Sequence, residues 1–316
     1  MSWLRARSSR ALLLGVLVSV TLGMATAHDG ARPVLDRVVV IGASASDGFR
    51  ATIVERQGDR TAVEGIDLRD AISLAVEPDP SVLVSYATRS MFLAPHRIGE
   101  SEISHAINER PTLVVALDFL FWYLYGTTGV EGVEIGSESD RLLSLEVGLE
   151  QLDRVLGQAG GPMLVVGDIP DVSGANSPML AAIQIPASAT IEQANARLRE
   201  WAGARTGRVA IVPLHTLTAQ ALAGNPTTFG GVAWSPSMDG SLVQADRLHP
   251  TFAGLVALWA RALESLRDAG ADVGTGHQHD PRVHAESIRA RLRRELSASG
   301  THHPDVAAPA QTPPSN

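Results

Sequence analysis

Short apolar runs rich in β-branched residues recur along the chain at Arg37–Ile41, Ser81–Ser85, Thr112–Ala116, Met163–Val166 and Val209–Val212. Each is strand length, and each gives way to a loop and then to a segment of helical period. The clearest such segment carries Leu142, Leu145, Leu149, Leu152 and Leu156, spaced alternately by three and four, with acids and arginines between them. Weaker helical patterns cover Asp67–Ala75, Ser101–Ile107, Ile191–Ala202 and Phe252–Leu266. Strands alternating with helices predict an α/β domain: a mostly parallel five-stranded sheet with helices on both faces. In such a sheet, ligands bind outside the carboxyl ends of the strands.

The two ends of the chain differ from this body. Arg5, Arg7 and Arg10 precede an apolar run from Ala11 to Met24, and Ala25-Thr26-Ala27 follows as a small-x-small cleavage site. This is the pattern of an export signal over residues 1–27, cleaved near Ala27, and it predicts a periplasmic or secreted protein. The run is shorter than the roughly 20 residues a membrane span needs. From about Asp272 a linker containing His277 and His279 leads to an Arg-rich amphipathic pattern, Arg282–Leu296, and to a Pro/Ala/Gln/Ser-rich end, Val306–Asn316, expected to be disordered. The expected division is 1–27, 28–271 and 272–316.

Composition removes several chemistries. The chain has no Cys, hence no disulfide, thiol nucleophile or thiolate metal site. All 26 basic residues are Arg, so a phosphate-loop lysine, a Schiff base and a Ser-Lys dyad are excluded. The formal charge of −8 would become −11 without the three arginines of residues 1–27, which argues against nucleic acid as a partner. Nucleophilic chemistry is left to Ser or Thr activated by His.

Two stretches fit that requirement. Val38–Ile41 breaks into Gly42-Ala43-Ser44-Ala45-Ser46-Asp47-Gly48, a turn of small residues that exposes a hydroxyl and leaves room for a substrate carbonyl. About 200 residues later, Asp246-Arg247-Leu248-His249-Pro250 places an acid three residues before a histidine, ahead of the last helix of the domain. Ser44 is the candidate nucleophile, His249 the base and Asp246 the group that orients it. Taken singly, the first stretch also fits an ordinary strand-to-helix turn, and the second a capped turn with a surface histidine.

With both stretches in view, the chain resembles the SGNH (GDSL-type) hydrolases. Gly42-Ala43-Ser44 is similar to that family's Gly-Asp-Ser block and Asp246–Pro250 to its last block, over roughly residues 36–268. The resemblance implies a flavodoxin-like three-layer α/β/α sandwich and ester hydrolysis by Ser44, His249 and Asp246 without metal or cofactor. The middle blocks depart from the family. Its second block has a Gly where this chain reads Tyr86-Ala87-Thr88-Arg89-Ser90, leaving Ala87 or Ser90 to supply an oxyanion N–H beside that of Ser44. Its third has an Asn where this chain has Asp118, which donates to an oxyanion only if burial keeps it protonated.

The segment Phe119–Tyr125 holds five of the chain's 14 aromatics. Phe119, Phe121 and Trp122 fit either a substrate pocket or plain core packing, and Arg89 either an anion contact or a solvated loop. His277, His279, His284, His302 and His303 have no spacing that fixes a metal geometry, so no metal site is expected. Asp168 and Asp171 read as turn acids. The expectation is an exported serine esterase acting on a small-acyl or lipid-like ester. Its rival is a catalytically impaired protein of the same fold that binds a glycan, a lipid or a protein.

Overall fold

The computed structural model describes residues 33–298, apart from 78, 130, 131, 159 and 177. The expected export signal, the expected disordered end, and His302 and His303 lie outside the described residues. In chain order the elements are β1 (Arg37–Val40), β2 (Thr52–Gln57), β3 (Arg60–Gly65), α1 (Leu68–Ala75), β4 (Val82–Ser85), α2 (Pro95–Asn108), β5 (Leu113–Ala116), α3 (Phe121–Tyr125), α4 (Glu138–Leu156), β6 (Met163–Gly167), α5 (Ser188–Gly203), β7 (Val209–Val212), α6 (Leu214–Leu222), β8 (Thr227–Phe229), β9 (Val232–Trp234), α7 (Pro236–Asp239), α8 (Phe252–Asp268) and α9 (Pro281–Ala298).

The five apolar runs are the five strands of one parallel sheet, ordered β4-β1-β5-β6-β7. Side chains alternate across it, as strand geometry requires. Val39, Ile41, Val114, Ala116, Leu164 and Val166 face α2, α3, α4 and α5, meeting Ile103, Leu145, Leu149 and Leu198. Val38, Val40, Leu113, Val115 and Val165 face α1, α8 and α9, meeting Ile72, Leu255, Trp259 and Ile288. The result is a three-layer α/β/α sandwich of flavodoxin-like strand order. The chain leaves β1 for β4 on one side and returns to β5 on the other, so a crevice opens where β1 and β5 end.

All five leucines of the α4 stripe are buried. The helix starts at Ser137, whose hydroxyl accepts the N–H of Asp140. Asp67 caps α1 in the same manner, reciprocated by Asp70.

Two hairpins, β2–β3 and β8–β9, and the short helices α3, α6 and α7 are not legible in the apolar pattern. The antiparallel β2–β3 pair is rich in charge and leaves Val54 and Val63 exposed. The Arg-rich helix α9 lies on this pair and on α8. Ala285, Ile288 and Leu292 form its buried stripe, while Arg291 pairs with Glu64 and Arg293 with Glu55. Exposed ion pairs of this kind contribute little, so the apolar stripe holds α9 in place. Packing therefore continues past residue 271 to the end of α9. Among the described residues, no helix is long and apolar enough to cross a membrane.

Candidate active site

The end of β1 and the loop before α8 meet at the crevice. His249 Nε2 lies 2.9 Å from Ser44 Oγ, and its Nδ1 lies 2.8 Å from Asp246 Oδ2. The other carboxylate oxygen, Asp246 Oδ1, accepts the backbone N–H groups of Leu248 and His249, each at 3.0 Å. Closing so tight a turn places Arg247 in the left-handed region, at φ 63°. Burial tends to raise the Asp246 carboxyl, but the hydrogen bonds from the His249 N–H, the His249 ring and the Leu248 N–H outweigh it. The group sits below the usual aspartate value and stays anionic beside the imidazole. His249 is buried, and the Phe49 ring packs on it with centroids 4.5 Å apart.

A residue with no signature in the sequence ties the two halves together. Gln244 Nε2 donates to the carbonyls of Phe49 and Pro250, each at 2.7 Å, while the Gln244 N–H donates to the carbonyl of His249 at 2.8 Å. The turn after Ser44 is thereby fixed against the loop that carries the base.

The nucleophile turn is held from beneath by two carboxylates. Asp118 Oδ1 accepts the Ala43 N–H at 3.0 Å and the Ser46 hydroxyl at 2.5 Å. Its Oδ2 accepts the N–H groups of Ala45 at 2.8 Å and Ser46 at 3.2 Å. Glu102 Oε2 accepts the Gly42 N–H at 2.8 Å. Gly42 is required here: its φ is +146°, and a Cβ would collide with the Asp118 carboxylate. From Gly42 to Ser46, every backbone N–H but one is committed. The exception is Ser44, whose N–H has no acceptor among the described residues.

This arrangement bears on the expected oxyanion donors. Ser44 N–H is free to serve. Asp118 acts as an acceptor in all four of its contacts, so the geometry gives it the role of fastening the turn rather than donating. The N–H groups of Tyr86 and Thr88 both point at the β1 side, to the carbonyls of Val40 and Gly42. The Ser90 N–H is engaged by Thr88 Oγ1 at 3.3 Å. Within the segment the Arg89 N–H is engaged by Asp47 Oδ2 at 3.3 Å, while the Ala87 N–H has no acceptor among the described residues.

Glu102 is 3% exposed, and its Oε1 is buried without a hydrogen-bond partner. Burial foremost, with the neighbouring Asp118 charge adding to it, pushes its carboxyl up to about 9 against the pull of the Gly42 N–H. It holds a proton at neutral pH. The sequence does carry a trace of it: Glu102 falls on the apolar stripe of α2, with Gly99, Ile103 and Ala106.

An apolar cavity opens directly beside Ser44 and His249 and runs between α6 and α8. Phe121 lines it, whereas Phe119 is buried in the core and Trp122 packs beneath Phe92. Arg89 is not part of the cavity lining; it is paired with Asp47 at 2.5 Å and lies 5.8 Å from the Phe49 ring centre. Asp168 also faces the cavity and accepts the His215 N–H at 2.6 Å, fastening the start of α6; burial raises its carboxyl above the usual value. Asp171 accepts the N–H of Ser173 in a turn. His277 and His279 lie between α8 and α9, and His284 lies in the first turn of α9. Among the described residues, no three His, Asp or Glu side chains converge as a metal site.

No protein-family model matches the chain, and no curated protein matches it in sequence. Among solved structures it is similar to Axe2, an acetylxylan esterase from Geobacillus stearothermophilus, at 15% identity and a TM-score of 0.45, over 76% of this chain and 97% of that one. It is also similar to a gut microbial diltiazem-metabolizing enzyme at 13% identity and a TM-score of 0.44, over 73% of this chain and 47% of that one.

Proposed function

We propose that this protein is a serine hydrolase that cleaves carboxylic esters, of the SGNH type its two terminal blocks resemble. One observation carries the reading: a buried imidazole within 3 Å of both a turn-borne serine hydroxyl and a carboxylate. Ser44 Oγ attacks the ester carbonyl as His249 Nε2 takes its proton. Asp246 holds the Nδ1–H tautomer and stabilises the imidazolium. The Ser44 N–H donates to the developing oxyanion. His249 then protonates the leaving alcohol, water enters on the same side, and the reverse sequence releases the acid. The scheme needs no metal or cofactor. Residues 1–27 support export of the mature protein to the periplasm or medium, with a small-molecule or lipid ester as its partner and no nucleic acid.

Asp118 accepts where the resembled family has a side-chain donor, and this favours a second reading, a binding protein on the same fold with weak or no turnover, because each oxyanion donor is worth about 10²–10³-fold in rate. Labelling of the purified protein by a fluorophosphonate, and turnover of short-chain aryl esters, separate the two. Labelling lost in Ser44→Ala and His249→Ala supports the hydrolase. An unlabelled wild type that turns over no ester overturns it.

A further inference from the structure

The cavity beside the triad has a shape and chemistry that the triad alone does not explain. Its lining is largely apolar, with Ser44 and His249 among the few polar groups that reach it. Leu117 and Phe121 wall it next to Ser44. It then passes between Leu217 and Ala221 of α6 and Leu258 of α8, and reaches Phe229 of β8. Leu217, Ala221 and Leu258 are only partly buried, although they sit on helix faces turned toward each other. This is apolar surface that an apolar ligand would take out of water.

We infer that this cavity is the acyl subsite, and that the substrate is an ester of a medium-length fatty acid. The inference rests on the ester-hydrolase reading above. Two arguments set the class of ligand. First, the far end offers no free charge: the Arg261 guanidinium is engaged by Glu264 at 2.6 Å and by the Thr228 carbonyl, and the second Glu264 oxygen accepts the Gly230 N–H at 2.8 Å. A charged or polyhydroxy group seated there would lose its hydration without gaining partners, whereas a terminal methyl would not.

Second, the chemistry assigns the cavity to the acyl half of the ester. Hydrolysis of the acyl-serine is the reverse of its formation, with water in the place of the departed alcohol next to His249 Nε2. The alcohol side must therefore open to solvent. A chamber walled by α6, α8 and β8 suits the part that stays attached to Ser44 Oγ while alcohol leaves and water enters.

The test is a series of p-nitrophenyl esters from acetate to palmitate. Burial of each methylene is worth about 0.8 kcal/mol, so kcat/KM should rise by about three- to fourfold per carbon through the medium chain lengths and then fall once the chamber is full. Ala221→Trp, on the partly exposed wall, should lower the octanoate-to-acetate ratio of kcat/KM by at least tenfold. A calorimetric titration of octanoate into Ser44→Ala, with and without Ala221→Trp, reads the same subsite without turnover. Acetate hydrolysis with a flat or falling series overturns the acyl subsite and leaves the hydrolase reading standing. Octanoate binding that Ala221→Trp abolishes, in a wild type that hydrolyses no ester, supports the subsite and overturns the hydrolase reading. Absence of both overturns both.

Discussion

Asp118 accepts the backbone N–H of Ala45 at 2.8 Å, one residue beyond the nucleophile position, and so aims the turn that presents Ser44. With its other oxygen on Ala43 and the Ser46 hydroxyl, both oxygens are needed as acceptors. Asn at this position has one acceptor and sets an NH2 group against the N–H donors of the turn. Asp118→Asn is therefore expected to lose activity at every pH, by about 100-fold in kcat, the scale of a 1 Å misplacement of reacting groups. A pH profile of kcat for both proteins checks this. Recovery of Asp118→Asn at high pH would return Asp118 to the role of a neutral donor.

Glu102 gives the same turn a titratable support. Its carboxyl is neutral when folded up to about pH 9, whereas in the unfolded chain it ionises near 4.5. Between those values the folded state holds a proton that the unfolded state has lost. Its contribution is thus fully present below about pH 4.5 and declines as pH rises toward 9, by up to about 1.4 kcal/mol per unit. Glu102→Gln keeps an acceptor for the Gly42 N–H and removes the titration. Urea midpoints measured from pH 7 to 9 should fall more steeply for the wild type than for the variant, and equal slopes would remove the proton from Glu102.

What the sequence made legible were features generated by neighbouring residues. β-branched runs marked the five strands, a three-four leucine spacing marked α4, and the three-residue interval from Asp246 to His249 marked a turn in which an acid can reach the ring. The fastening of the nucleophile was not legible in this way, because Glu102 and Asp118 reach the Gly42–Ser46 turn across 60 and 75 residues. Comparison with a family block offers Asp118 as an oxyanion donor only in its protonated form. The fold uses that position for a different bond. The cavity was hidden for a related reason: α6 (Leu214–Leu222) and β8 are short, and their walls acquire meaning only once α8 lies opposite.

Gln244 tests the coupling between the two halves of the site. Replacing it by Leu leaves the carbonyls of Phe49 and Pro250 without their shared donor, at a cost of about 1–3 kcal/mol in stability. Because Phe49 packs on His249, the imidazole should lose its fixed distance to Ser44. A fall of about tenfold or more in kcat is expected, with KM little changed. A variant destabilised by this amount yet fully active in kcat would show that the tie is structural only.

His279 makes the region between α8 and α9 sensitive to acid. It is 5% exposed, its Nδ1 has no hydrogen-bond partner, and its ring fills the space a side chain at Gly230 would need. Burial foremost, then His277 and Arg267, with His284 adding a little against the pull of Glu264, lower it to about 4. In the unfolded chain the ring takes up a proton near 6.5, so between pH 4 and 6.5 the unfolded state binds more protons. Stability is complete above about 6.5 and declines as pH falls toward 4, by up to about 1.4 kcal/mol per unit. His279→Leu fills a similar space without titrating. Thermal midpoints from pH 7 to 4.5 should fall less for the variant than for the wild type, and parallel declines would place the acid sensitivity elsewhere.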